Sequence, residues 1–295
     1  MTSLNQSLPV PSKILNIAAY HFVALLDADV LCENLKNTAE GLELKGTVLL
    51  ATEGINLFLA GQETRINQFV RQLLEDARFT NLEIKRSWSA TQPFRKLIVK
   101  VKNEIIRMNH PTIKPSFDPA ASVRAPSVDA QTLKRWLDQG FDDAGQPVVT
   151  LDTRNAFEVD YGTFEGAVDW RIDKFSDFPA AFQQHKAELK GKTVVSFCTG
   201  GIRCEKAAIY MREAGLHDVY QLDGGILKYF EETQVATANG DVTNVGNHYN
   251  GNCFVFDERE ALGGDLKPKD LGEESRFSAS RFSASRFAAP PAHPI

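Results

Sequence analysis

The chain reads as an α+β module followed by an α/β domain whose parallel sheet is covered by helices on both faces. Three features predict this. Residues 14–101 show strand and helix patterns in the order β-α-β-β-α-β. From residue 148 onward, short β-branched runs alternate with helical segments, which implies parallel pairing. Between the two lies a stretch containing Pro111, Pro115, Pro119 and Pro126, a density that denies both helix and ladder hydrogen bonds.

The elements follow in order. An apolar run over 14–23 is the first strand, and Asp27 stands where it can cap a helix reaching about residue 40. Gly46-Thr-Val-Leu-Leu-Ala-Thr-Glu-Gly-Ile-Asn-Leu-Phe-Leu-Ala-Gly61 reads as two strands around a Thr-Glu-Gly turn. Ile66, Phe69, Val70, Leu73 and Leu74 recur at helical spacing over 64–76. Strands over 82–88 and 95–101 complete a ferredoxin-like domain spanning 1–108, with room for one extra strand. Residues 109–127 form the proline-rich linker, and Ser127-Val-Asp129 starts a short helix to about residue 139. Strands over 148–152, 193–197 and 219–222 and a helix over 205–214, stopped by Gly215, build the domain of 128–235. Residues 236–262 are an extension of loops with one short extended piece, Cys253-Phe-Val-Phe-Asp257. The tail, 263–295, repeats Ser-Arg-Phe-Ser-Ala from 275 and 280 and Ser-Arg-Phe-Ala-Ala from 285. It has nothing to build a core from, so disorder is expected there.

Composition excludes several classes. With 295 residues and ordinary apolar content, the chain can fill two compact domains. No run of about 18 apolar residues is present, so no membrane span is expected. The first residues lack the basic and then apolar regions of a signal peptide. Four cysteines, Cys32, Cys198, Cys204 and Cys253, without CxxC spacing argue against a zinc module or a disulfide framework. His248 near Cys253 lacks further ligands for a metal. A cytoplasmic protein is expected, and nothing speaks to its oligomeric state. The net charge of −5 hides an asymmetry. Residues 1–128 hold 15 Lys and Arg against 12 Asp and Glu, whereas the remainder hold 18 against 26. Between Arg78 and Lys114, nine basic residues face only Glu83 and Glu104, with Trp88 and Phe94 among them. Such a local excess suits a polyanion, with Lys85, Arg86, Trp88, Lys100 and Lys102 as the candidate contacts; a solvated strand face is the plain alternative.

The chemistry concentrates in Thr193-Val-Val-Ser-Phe-Cys198-Thr-Gly-Gly-Ile-Arg203-Cys204. A β-branched run ends in a thiol, a two-glycine loop follows, and a helix begins at once. That order puts Cys198 at the carboxyl end of a strand and the amino end of a helix, where α/β folds place their chemistry. Gly200 and Gly201 accept positive φ, so successive N–H groups of Thr199, Gly200, Gly201, Ile202 and Arg203 can turn inward as an anion-holding nest. The helix dipole and the Arg203 guanidinium both favour thiolate. A buried structural cysteine is the plain alternative. Cys204, one turn into the helix, either resolves an oxidised Cys198 or simply packs against the sheet.

Further segments carry a resemblance. Residues 128–232 are similar to the rhodanese family: besides the loop they hold Leu151-Asp152-Thr-Arg154-Asn-Ala-Phe-Glu158, Gly162-Thr-Phe-Glu-Gly166-Ala167 and Val219-Tyr-Gln-Leu-Asp-Gly-Gly-Ile226. The resemblance implies Cys198 as a persulfide-forming nucleophile, residues 199–203 as its cradle, and Asp152 and Arg154 as architectural supports. Phosphatases related in fold place the arginine six positions after the cysteine; here Arg203 is five after, which disfavours a phosphate ester. Through about residue 260 the chain resembles the rhodanese-domain tRNA uridine hydroxylases. Gly46-Thr-Val-Leu-Leu-Ala-Thr-Glu-Gly-Ile-Asn56, Phe94-Arg-Lys-Leu-Ile-Val-Lys-Val-Lys-Asn-Glu-Ile105 and Leu222-Asp-Gly-Gly-Ile-Leu-Lys-Tyr229 carry that likeness. It implies an α/β rhodanese domain preceded by a ferredoxin-like or acylphosphatase-like α+β domain. The implied activity is oxygen-dependent hydroxylation at C5 of the first anticodon uridine, with tRNA as partner and molecular oxygen as co-substrate. Metal and bound organic cofactor are not implied; a cysteine-rich C-terminus found in some relatives is missing, and the Ser-Arg-Phe tail departs from the family pattern. A sulfurtransferase delivering persulfide sulfur is the competing expectation.

Overall fold

The computed structural model describes residues 13–118, 120, 122–236, 242–243 and 246–271. The N-terminal domain comprises β1 (Ile14–Phe22), α1 (Ala28–Gly41), β2 (Lys45–Ala51), β3 (Gly54–Gly61), α2 (Glu63–Leu74), β4 (Lys85–Ser89) and β5 (Leu97–Val101). Its sheet has the order β4-β1-β3-β2-β5. β1 pairs antiparallel with β3 and β4, β2 antiparallel with β3, and β5 lies parallel to β2 as the extra edge strand.

Strand alternation decides the faces. Leu15 and Ile17 of β1, Ile55 and Leu57 of β3, and Val48 and Leu50 of β2 are buried in one core with Ile66 and Phe69 of α2. The other face carries Asn16, Ala18, Tyr20, Asn56 and Lys85, held in register across β4, β1 and β3. It is the more polar face, and it meets the second domain. Asp27 departs from its expected role. It occupies the position before α1 but makes no capping bond. Its carboxylate instead accepts from Arg78, because a guanidinium fork is a stronger partner than a lone N–H.

The second domain comprises β6 (Ser127–Val128), α3 (Ala130–Gln139), β7 (Val148–Asp152), α4 (Ala156–Val159), β8 (Gly162–Phe164), α5 (Phe178–His185), β9 (Thr193–Phe197), α6 (Ile202–Glu213), β10 (Val219–Leu222) and α7 (Gly225–Thr233). Its sheet, β6-β10-β9-β7, is parallel throughout. All five residues of β9 are buried, as a strand covered on both faces requires. Val194 turns toward Phe182, Ala207 and Met211 of α5 and α6, and Val195 toward Leu133, Ile226 and Tyr229 of α3 and α7. Asp129 caps α3 by accepting from the Thr132 N–H at 2.8 Å.

The extension adds β11 (Val235–Ala236) paired with β12 (Val242–Thr243), β13 (Tyr249–Gly251) paired with β8, and β14 (Cys253–Phe254) paired with β15 (Ala261–Leu262). Leu262 also bridges to Pro268, so ordered chain passes the expected tail boundary at 263. The Ser-Arg-Phe repeats lie outside the described residues. Among the described residues no helix is long and apolar enough to cross a membrane.

The proline-rich segment is packed rather than free. Met108 and Ile113 are buried, Ser116 bridges to Val123, and the Phe117 N–H donates to Phe22 O at 2.8 Å. A proline cannot itself donate to a helix or ladder, but it does not prevent the residues between prolines from pairing across a bridge or being buried. The domain interface has a small apolar centre, where Ile202 packs with Phe22, Ala51 and Ile105. Beside it the Lys206 ammonium, only 1% exposed as a residue, bonds Glu53 Oε1 at 2.9 Å and Glu104 Oε2 at 2.7 Å. Those carboxylates also accept the Ile105, Met108 and Asn109 N–H groups.

Removing Lys206 strands two carboxylates in this interface, and breaking a buried ion pair costs about 3–5 kcal/mol. Lys206→Ala is therefore expected to lower stability by that order in denaturant unfolding. Combining Lys206→Met with Glu53→Gln and Glu104→Gln is expected to recover most of the loss.

Candidate active site

Cys198 follows β9 directly, and the chain turns over residues 198–201 before α6 begins at Ile202. Of the two loop glycines only Gly201 takes a left-handed conformation, at φ +100°, so the expectation of positive φ at both is corrected to one. The Gly201 N–H donates to Cys198 Sγ at 3.1 Å. Loop carbonyls point the other way. Cys198 O accepts from the Ile226 N–H at 3.0 Å and Thr199 O from the Leu227 N–H at 3.1 Å, so the start of α7 docks on the loop. Gly225 permits that approach: a Cβ there would lie 2.4 Å from Cys198 O and 2.7 Å from the Gly201 N. Thr199 Oγ1 reaches Phe254 O at 3.4 Å, tying the loop to β14.

Burial alone disfavours a charged thiol. At Cys198 that penalty is outweighed by the Cys204 thiol, the Arg203 charge and the Arg203 and Gly201 N–H groups, which together pull it well below the ordinary thiol range. Cys204 moves the opposite way, pushed up by burial and by the neighbouring Cys198, with Thr153 Oγ1 3.7 Å from its sulfur. Burial pushes the Cys253 thiol up to about 12 and also raises Cys32.

Arg203 is not a free clamp. Its guanidinium forks onto Glu158 at 2.6 and 2.7 Å, both side chains being buried, so it acts as a fixed charge beside the loop. Glu158 was visible only as the end of a motif. The signal that its role leaves in sequence is an acidic residue inside a short buried helix, which demands a cation. Asp152 and Arg154 are equally buried. Arg154 bonds Asp152 through Nε at 2.9 Å and Nη2 at 2.6 Å, and Nη2 also reaches Gly162 O at 2.6 Å, so this pair staples β7 to β8.

A cavity of about 1170 Å³ lies between the domains, lined by Cys198, Thr199, Gly200, Ile202 and Arg203 on one side and by Lys85, Arg86 and Lys102 on the other. Phe58, Phe94 and Phe256 add aromatic wall, Phe256 being 56% exposed. Tyr20, unforeseen in the sequence, faces the loop: its hydroxyl donates to Glu205 Oε1 at 3.3 Å, and Glu205 is held by Arg124 at 2.6 Å and Gln221 at 3.0 Å. Burial, then Glu205 and Cys198, push the Tyr20 hydroxyl up, so it remains protonated.

The five candidate contacts for a polyanion do not form one patch. Lys100 pairs in register with Leu49 on the sheet face that also carries Lys85, and Lys102 follows on the same side; both are exposed. Arg86 and Trp88 alternate to the opposite face of β4. Arg86 donates to Asn67 Oδ1 at 2.8 Å, and Trp88, 44% exposed, stands away from the cavity. Lys85 is the clearest departure. Its ammonium is half-buried and donates to Gly200 O at 2.7 Å and to Gly224 O, so it is committed to backbone rather than offered to phosphate.

Residues 14–105 match the UPF0176 acylphosphatase like domain, and residues 129–232 match the rhodanese-like domain. Over 264 residues the chain is 58% identical to a tRNA uridine(34) hydroxylase of Variovorax paradoxus (strain S110), covering 90% of this chain and 94% of that protein. A protein of the same name from Delftia acidovorans (strain DSM 14801 / SPH-1) is 60% identical over 255 residues, 86% of this chain and 91% of its own. One from Bordetella petrii (strain ATCC BAA-461 / DSM 12804 / CCUG 43448) is 60% identical over 255 residues, 86% and 95% respectively.

The two neighbouring thiols are expected to differ in reactivity. In peptide-resolved iodoacetamide labelling from pH 5 to 9, Cys198 is expected to be half-maximally reactive well below the ordinary thiol value of about 8.5, while Cys204 stays unlabelled. Labelling of Cys198 only above that pH would contradict the thiolate cradle.

Proposed function

The chain belongs to the tRNA uridine(34) hydroxylase family, and we propose that it hydroxylates C5 of the first anticodon uridine with Cys198 at the reacting centre. The observation that carries this reading is the meeting of an acidified thiol with a basic, aromatic-walled cavity made by both domains. Small-ligand pockets run to about 1000 Å³, and a cavity of about 1170 Å³ suits a nucleotide with its flanking phosphates. Anticodon bases are unpaired and can be turned out, which brings a uridine to a thiol at the cavity wall.

Two routes use the same cradle. A thiolate adding to C6 of the uridine makes C5 nucleophilic. Alternatively Cys198 is first oxidised to the sulfenate, which hands its oxygen to C5 and returns to thiolate. In both, the Gly201 N–H and the Arg203 charge stabilise anionic sulfur, and Cys204 donates to it. Molecular oxygen is the co-substrate: one atom enters at C5, and the other leaves as water with two electrons and two protons from an external reductant. The exposed Lys100 and Lys102 lead phosphates toward the cavity, with Arg86 at its edge. With tRNA as substrate, the working compartment is the cytoplasm.

The rhodanese loop itself also suits persulfide transfer, and nucleoside mass spectrometry of a deletion strain separates the two readings. Loss of 5-hydroxyuridine derivatives is expected; loss of thiolated uridine in their place would assign sulfur transfer. Cys198→Ser is expected to lower hydroxylation more than about 1000-fold, as removal of a reacting nucleophile does. Lys100→Gln with Lys102→Gln is expected to weaken tRNA binding and flatten its salt dependence by roughly one unit of slope per lost phosphate contact. An unchanged slope would take the β5 edge out of the interface.

A further inference from the structure

Three consecutive carbonyls back the Cys198 cradle. The first two, Cys198 O and Thr199 O, are held by N–H groups of α7 within the same domain. The third, Gly200 O, is held from outside, by Lys85 of β4 in the N-terminal domain at 2.7 Å. The peptide linking Gly200 to Gly201 is trans and planar, so its oxygen and its N–H point in opposite directions. Lys85 grips the oxygen end, and the hydrogen end donates to Cys198 Sγ at 3.1 Å. A peptide between two glycines turns over at small steric cost, so this orientation needs an external hold. The same ammonium donates to Gly224 O and so clamps the second glycine loop against the first. Hydrogen bonds in series polarise one another, and the chain from ammonium through peptide to sulfur runs in the sense that stabilises negative sulfur.

We propose that Lys85 is a positioning residue for Cys198: it holds the Gly200–Gly201 peptide so that the Gly201 N–H is aimed at the sulfur, and the cradle is complete only when the N-terminal domain is docked. The N-terminal domain thus takes part in building the reactive thiol as well as bordering the substrate cavity. The other groups acting on Cys198 are Arg203 and Cys204 of α6, and Tyr20 of β1 lies near it; Glu83, Asp223 and Lys228 surround Lys85. The proposal rests on Cys198 as the reacting thiol, but alkylation reads it without tRNA, so its failure is separable from failure of the hydroxylase reading.

The test is peptide-resolved iodoacetamide labelling of Cys198 across pH in the full chain, with thermal unfolding as a fold control. Lys85→Met is expected to move the labelling midpoint up by about one pH unit, roughly a tenfold fall in thiolate at fixed low pH. Lys85→Arg, which keeps a charged donor, is expected to restore most of that. Arg71→Met, which removes an exposed charge from α2 on the side of the N-terminal sheet away from the cavity, is expected to leave the midpoint in place. An unmoved midpoint in folded Lys85→Met overturns the proposal. So does an equal shift in Arg71→Met, which would reduce the effect to general charge. If the methionine variant does not fold, Lys85→Leu, which likewise lacks a donor, carries the same comparison, and an unmoved midpoint there overturns the proposal as well.

Discussion

A loop that turns an N–H toward one sulfur must turn the carbonyl of that peptide away from it, and a buried carbonyl needs a donor. Much of the architecture follows from that constraint. Two donors come from the first turn of α7, which can reach the loop only because β10 lies beside β9 and Gly225 has no side chain. The third comes from Lys85 on the first domain. Parallel pairing brings the carboxyl ends of β9 and β10 together, and the open face of the first sheet covers them.

The same site shows how buried charge is tolerated. Arg203 sits on Glu158, Arg154 on Asp152, Lys206 on Glu53 and Glu104, and Glu205 on Arg124. Each buried charge has a partner in hydrogen-bonding geometry, as a low-dielectric interior demands. The exception is the thiolate, stabilised by peptide N–H groups, a neighbouring thiol and an arginine whose own charge is already paired. Such a sulfur is charged yet under-compensated, which suits the reacting role proposed for it. The domain contact follows the same rule: Ile202, the first residue of α6, packs on Phe22 and Ile105, and Lys206, one turn later, closes the buried ion triad.

Much of the site is legible because it is local. The strand, thiol, glycines and first helical turn are contiguous, so Cys198 and its cradle stand in the sequence as one unit. The sheet assignments follow equally from short-range periodicity. Lys85 is different: in sequence it belongs to a basic run, and nothing in that run says that its partner is a carbonyl 115 residues away. Tyr20 is silent for the same reason, meeting Glu205 across 185 residues. Strand alternation, readable in principle, divides Lys85, Lys100 and Lys102 from Arg86 and Trp88, but a charge count over a window does not respect faces. Asp27 was legible as a cap until Arg78 supplied a better partner.

By itself the sequence determined the two domains, their order and the strand, loop and helix that carry Cys198, because each depends on residues within a few turns of one another. Only the tertiary structure decided that the proline-rich segment packs, that Arg203 is bound to Glu158, and that Lys85 faces the thiol loop rather than solvent. Those outcomes depend on which buried groups find partners across the domain interface, and pairing at that distance leaves no periodic trace in the chain.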